Sequence, residues 1–136
     1  MKKENSCYTY FHIHGDDFPI EEITKVLGES PFRSWYKTDI READGKQFGF
    51  CNWSGFRVDD YDPYVEKQME KTIEPLLDRI DILNKLREKY NLEYSIVVVP
   101  QVYVNKINPD LSPSMNVIDF CHAVRARISI DLYLYK

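Results

Sequence analysis

The first quarter of the chain alternates apolar and polar residues and then changes to helical spacing. Residues 7–14 place Phe11 and Ile13 on one side, a period of two that is typical of a β-strand. Apolar residues recur at helical spacing over residues 20–27, and Gly28 stands where a helix would end. The pattern predicts a strand followed directly by a short helix.

Two aromatic-rich segments come next, at residues 32–37 and 47–58. Aromatic residues favour strands, and Asp44-Gly45 between the two segments is a turn signal. We therefore expect a two-stranded hairpin.

A long helical pattern covers residues 65–86. Asp62 and Pro63 precede it as a capping residue and a proline suited to the first helical turn. Pro75 lies inside the pattern and has no amide proton to donate. The helix is therefore predicted to kink or split near that proline.

The last third of the chain predicts a strand, a helix and a closing strand. Residues 94–104 read as a long strand in which Pro100 marks a bulge or an edge. Ser112 and Pro113 are expected to begin the last helix. Its predicted apolar side carries Val117, Ile118, Cys121 and Val124. Residues 128–135 alternate apolar and polar side chains, which predicts a half-buried strand of an antiparallel sheet.

This order of elements predicts a single α+β domain over residues 1–136. We expect a mostly antiparallel sheet of about five strands with helices packed on one face, ferredoxin-like with an added helix and strand. The opposite face would then be open and rich in tyrosine and histidine. The residues predicted to form a binding surface there are Tyr8, Tyr10, His12, His14, Tyr103, Asp131, Tyr133 and Tyr135.

Composition narrows the classes of partner. The 136 residues carry a formal net charge of -4, and such a surface repels phosphate backbones and anionic lipids. We therefore expect neither nucleic acid nor a membrane as partner, and the longest apolar run, residues 96–99, is far too short to span a bilayer. The cysteines are odd in number and far apart, which favours a reducing, cytoplasmic setting.

His12 and His14 carry the sharpest chemical signal. Two residues apart on a strand, both imidazoles lie on one face about 7 Å apart, a spacing that two ligands of one metal ion can use. Asp131 would supply a third ligand if the first and last strands were neighbours, and Asp16 or Asp17 could supply it from the turn. Solvent-facing histidines are nevertheless common on strands, and we predict neither a metal nor another cofactor.

Short segments along nearly the whole chain resemble a known family. They are residues 10–17, Ile23, Leu27-Gly28, Ser34-Trp35, Lys37, Leu76-Leu77 and Asp131-Leu132-Tyr133. In these segments the chain resembles a bacterial family called domain of unknown function 4279. The resemblance implies a fold and a bacterial cytosolic setting, and it implies no reaction and no catalytic residue.

Two functions are compatible with these patterns. The first is a non-catalytic module whose aromatic sheet face docks a protein partner or a second copy of the chain. The second is a protein for a small-molecule ligand or a metal, or even an enzyme, in which His12, His14 and Asp131 form a polar cluster. The common catalytic motifs are absent from the sequence. The tyrosine-rich exposed face favours the first hypothesis.

Overall fold

The computed structural model describes residues 3–136, which form a layer of helices against one side of a six-stranded sheet. No helix within these residues has the length and apolar content that crossing a bilayer would require. The elements in chain order are β1 (Ser6–Gly15), α1 (Ile20–Leu27), β2 (Arg33–Trp35), β3 (Cys51–Val58), α2 (Glu66–Ile73), a 3₁₀ turn (Glu74–Leu76), α3 (Ile80–Tyr90), β4 (Glu93–Tyr103), α4 (Met115–Val124), β5 (Ala126–Ile130) and β6 (Tyr133–Tyr135).

The sheet is mixed and has six strands, so the prediction of a mostly antiparallel sheet of about five strands is not confirmed. Its order is β2-β3-β1-β4-β5, and β6 also pairs with β4. The pairs β2–β3, β3–β1 and β1–β4 are antiparallel, whereas β5 and β6 both run parallel to β4. The α+β class is confirmed, and the ferredoxin-like arrangement is not.

Strand β1 lies at the centre of the sheet, and its alternation works as predicted. Phe11 and Ile13 are fully buried, together with Tyr94, Ile96 and other residues of β4 and with apolar residues of the helices. Thr9 lies on the same side, where its hydroxyl is 2.8 Å from that of Thr72 in α2. The helices therefore cover one face of β1 and leave the other face open.

The break predicted at Pro75 is confirmed. Helix α2 ends at Ile73, one 3₁₀ turn follows, and α3 begins at Ile80. A proline inside a helix removes one backbone hydrogen bond and crowds the preceding turn.

Both predicted helix starts are a few residues early. Asp62 accepts a hydrogen bond from the backbone N–H of Tyr64, but α2 begins only at Glu66. Ser114 is the residue that caps α4, where its hydroxyl accepts a hydrogen bond from the N–H of Val117. On α4 the structure also buries Phe120 and leaves the predicted Ile118 exposed.

The hairpin forms with shorter arms than predicted. β2 and β3 pair antiparallel, and the Asp44-Gly45 turn lies in the loop of residues 36–50, which an isolated bridge between Ile40 and Gln47 narrows. Gly45 has φ 71°, which suits a glycine in a turn.

The prediction of one closing antiparallel strand is wrong. The chain forms β5, breaks at Asp131-Leu132, and continues as β6, both parallel to β4. The crossover through α4 brings the chain back in the direction of β4, and parallel neighbours need such a crossover. The predicted covered side is also largely exposed: the exposed fractions of Ile130, Leu132 and Leu134 are 49%, 49% and 63%.

Candidate functional site

All eight residues that were predicted to form a binding surface lie on the open face of the sheet. This face has a small apolar cluster that is separate from the main core. It consists of Tyr10, Val97 and Val99, and Tyr8 packs against it. Tyr10 is only 8% exposed, so it forms part of the floor of this face and offers little of its ring to a partner.

Aromatic rings follow β1 along the open face. Centroid distances are 6.1 Å from Tyr8 to Tyr10, 6.4 Å from Tyr10 to His12 and 6.4 Å from His12 to His14. Phe50 then packs 4.7 Å from His14. The rings pack against one another at distances typical of aromatic pairs, so they form one continuous aromatic surface along β1.

An arginine covers one end of this aromatic series. The guanidinium carbon of Arg57 lies 3.8 Å from the ring centroid of Tyr8 and 5.4 Å from that of Phe32. Its charge is matched by Asp59, with the closest nitrogen and oxygen 2.9 Å apart. Arg57 therefore acts as packing here rather than as a free cation.

Strand register places a row of polar side chains across the middle of the open face. His12 is paired with Ser54 of β3 and with Ser95 of β4. Ser54 is paired in turn with Arg33 of β2, and Ser95 with Arg127 of β5. We call these five residues the central row; because paired residues share a face of the sheet, all five side chains belong to the open side.

Burial and two neighbours set the electrostatics of His12. Desolvation, the adjacent His14 and the positive charge of Arg33 together lower the pKa of His12 to about 4. Its imidazole is therefore neutral at pH 7, with Nδ1 3.4 Å from the Ser54 hydroxyl oxygen. Burial also raises the pKa of Tyr10, an effect that the charge of Arg33 opposes.

A shallow hollow of about 420 Å³ opens beside the central row. It is lined by Tyr10, His12, Ser95, Val97, Ser129, Ile130 and Asp131. The structure thus brings two of the three residues of the predicted polar cluster, His12 and Asp131, to one hollow, although β4 lies between β1 and the last two strands. No group of three or more histidine, cysteine, aspartate or glutamate side chains suited to a metal ion occurs within residues 3–136, and His14 does not line the hollow.

The remaining predicted residues lie at one end of the face, beside β6. The rings of Tyr103 and Tyr135 are 5.1 Å apart between centroids. The hydroxyl of Tyr133 donates a hydrogen bond to Asp131 Oδ2 at 3.3 Å, and the charge of Asp131 raises the pKa of Tyr133. Tyr133 and Tyr135 are exposed, unlike Tyr10.

A larger hollow lies on the opposite side of the molecule, among the helices. It measures about 640 Å³ and is lined by Glu70, Ile73, Glu74, Leu77, Ile80, Asn116, Asp119, Phe120 and Ala123. This hollow has an apolar floor with carboxylates at its rim, and no histidine, arginine or hydroxyl group lines it among the residues that the structure describes. We therefore place the candidate site on the open face, although the hollow there is smaller.

Sequence reasoning missed four members of the central row: Arg33, Ser54, Ser95 and Arg127. They come from four different strands and carry no local motif. Only the register of strand pairing brings these four residues together. A β-bulge shifts the register between β1 and β3 by one residue, because Thr9 pairs with Val58 while Phe11 pairs with Gly55.

No curated protein and no solved structure matches the chain. The model of one family, Domain of unknown function (DUF4279), matches residues 5–135, in agreement with the resemblance of the short segments. The chain therefore belongs to the DUF4279 family.

Proposed function

We propose that this protein is a non-catalytic interaction module that associates with a second copy of itself. The contact surface is the C-terminal edge, which we define as residues 130–135 and which includes the exposed Tyr133 and Tyr135 of the open face. The observation that carries the proposal is the concentration of exposed apolar side chains along this edge.

Exposed apolar residues cluster on both sides of the C-terminal edge. Ile130, Leu132 and Leu134 stand on one side, and Tyr133 and Tyr135 stand on the other. Val104 and Ile107, in the loop after β4, are also exposed, at 64% and 87%. A contiguous apolar surface of this kind marks a site of protein association.

The backbone of β6 supports the same function. The N–H of Asp131 donates to Val98, and the carbonyl of Tyr135 accepts from Val104, so these groups point toward β4. Because successive backbone groups alternate in direction along a strand, those of Leu132 and Leu134 point away from the sheet. Outward groups on an edge strand form a template for pairing with another strand.

The β6 strand of a second copy of the chain can pair with this edge strand. Antiparallel pairing centred on Leu134 would set Tyr133 of each copy opposite Tyr135 of the other. Such a contact is isologous, so one surface serves both subunits, and cross-strand aromatic pairs stabilise it.

The state of the cysteines supports a non-catalytic role. Cys7, Cys51 and Cys121 are buried, and burial raises the pKa of Cys7 and of Cys121 to about 11. These two thiols stay protonated at neutral pH and are poor nucleophiles.

Sedimentation velocity over a range of protein concentrations tests the proposal. We expect the wild-type protein to dimerise and Leu134→Glu to remain a monomer, because a carboxylate would be buried at the centre of the contact. The matched control is Ile82→Glu on α3, since Ile82 is also exposed, at 39%, but lies among the helices.

The control variant should dimerise as the wild type does, and all three proteins should keep the same circular dichroism spectrum. A wild-type protein that stays monomeric throughout the micromolar range, or a Leu134→Glu variant that dimerises as strongly, contradicts the proposal.

A further inference from the structure

The central row has the composition of an anion site. Two guanidinium groups stand at its ends, two hydroxyl groups lie inside them, and an imidazole occupies the middle. We infer that the central row binds a small oxyanion, the carboxylate or phosphate group of a low-molecular-weight ligand, over His12 and Ser95. This inference does not depend on self-association, because the row lies away from β6.

The two arginines of the row have no carboxylate partner among residues 3–136, and Arg33 lies within reach of the Tyr10 hydroxyl. Both arginines are exposed. Arg57, on the same face, shows the contrast because Asp59 neutralises it. A guanidinium without a carboxylate partner is well suited to bind carboxylate or phosphate through two parallel hydrogen bonds.

The spacing of the row suits convergence on its centre. Neighbouring strands lie about 4.8 Å apart, so four strand steps separate the Arg33 and Arg127 Cα atoms by roughly 19 Å. Both side chains are long and start from the open side of the sheet. Neither arginine lines the hollow itself, but each side chain is long enough to turn toward it over His12, and together they can enclose one ligand between them.

The middle of the row supplies hydrogen-bond donors. When the Ser54 hydroxyl donates to Nδ1 of His12, the neutral ring carries its proton on Nε2 and can donate it to an oxyanion. The hydroxyl-bearing side chain of Ser95 lines the hollow beside it. A small ligand thus has a cavity of about 420 Å³ with donors at its base, within the usual size range of ligand pockets.

Asp131 determines where in the hollow the anion binds. Asp131 lines the hollow together with Ser129 and Ile130, and its negative charge repels an anion from their side. The favourable position is therefore over His12 and Ser95. Tyr10 and Val97 beside them present apolar surface to the body of the ligand.

Two-dimensional NMR titration tests the inference, with pyrophosphate as the phosphate probe and glutarate as the carboxylate probe. Ionic strength is held constant with sodium chloride. We expect saturable shifts at the amides of Ser54 and Ser95 with one probe or both, and the tighter probe identifies the oxyanion class. Bound anion should also raise the pKa of His12, read from its imidazole resonances, because a negative charge favours the protonated ring.

Matched variants distinguish a specific anion site from nonspecific electrostatic attraction. Arg33→Gln and Arg127→Gln should each weaken binding by at least about tenfold, since each removes charge-assisted hydrogen bonds. Lys25→Gln removes the same charge from α1, on the helical side, and should leave the Kd unchanged.

Absence of saturable shifts with both probes in the millimolar range overturns the inference. So does equal weakening by Lys25→Gln, which would mean a diffuse electrostatic effect. Repeating the titration with Leu134→Glu keeps the two ideas distinct, because the anion site should persist in that variant whatever its oligomeric state.

Discussion

Strand β1 and the C-terminal edge have almost the same pattern and very different surroundings. Phe11 and Ile13 alternate with polar residues in β1, as Leu132 and Leu134 do in the last segment. The first pair is fully buried, whereas the second is 49% and 63% exposed. Alternation therefore predicts that a segment is a strand, and the position of that strand in the sheet determines whether its apolar side is covered.

The helical layer covers the sheet only as far as the helices extend. Helix α4 contacts β5 and stops at Val124, immediately before the strand begins. Along β5 the burial then falls, from partly buried Ala126 and Ile128 to exposed Ile130. β1 is instead held between two strands and lies under α2. Apolar residues past the end of the helical layer remain available for contact with another chain.

The sharpest way to measure this difference is to truncate one side chain in each region. Phe11→Ala should lower the free energy of unfolding by about 3–5 kcal/mol, because it leaves a cavity in the core. Leu134→Ala should change it by less than about 0.5 kcal/mol in the monomer. Urea unfolding at low protein concentration measures both, and similar losses for the two variants would contradict the contrast.

The close packing beside β1 gives a second, smaller test. A Cβ atom built on Gly55 would lie 2.5 Å from the ring of Trp53, which is fully buried and whose indole N–H donates to the Thr24 hydroxyl. Because the ring cannot easily move, Gly55→Ala should cost about 1–3 kcal/mol of stability. Ser129→Ala, at an exposed position of β5, is the control and should be nearly neutral in the same urea experiment.

Features fixed by local chemistry could be predicted from the sequence, and features fixed by long-range pairing could not. Gly28 ends α1 in the left-handed conformation and Pro75 divides the long helix, and both act through their own backbone. The parallel direction of β5 and the members of the central row depend instead on which strands become neighbours. Arg33 and Arg127 are 94 positions apart in the sequence (127 − 33), and nothing near either one indicates the other.

The open side of β1 makes stability depend on pH in a way that the C-terminal edge does not. In the folded chain the pKa of His12 is about 4, against an ordinary value of 6.5. Between these values the unfolded chain binds a proton that the folded chain does not, so stability is full above pH 6.5 and declines as the pH falls toward 4.

We expect His12 to contribute a loss on the order of 2 kcal/mol across this range. His12→Gln should remove that part of the pH dependence, measured as the difference in unfolding free energy between pH 7 and pH 4.5. His122→Gln, on the exposed side of α4, is the matched control and should keep it. An unchanged slope in His12→Gln would mean that the open side of β1 is more hydrated than its burial indicates.

At the C-terminal edge the corresponding electrostatic effect is a local pairing between exposed groups. Asp131 raises the pKa of Tyr133 by its negative charge and by their hydrogen bond. Asp131→Asn should therefore lower the pKa of Tyr133 toward its ordinary value, with little change in stability, while Asp39→Asn in the loop before β3 should leave it where it is. A pH titration of the tyrosine ring resonances by NMR resolves the two cases. If Asp131→Asn left the pKa of Tyr133 unchanged, the edge would be too mobile to hold this pair, and its fixed pairing with a second copy would lose its structural basis.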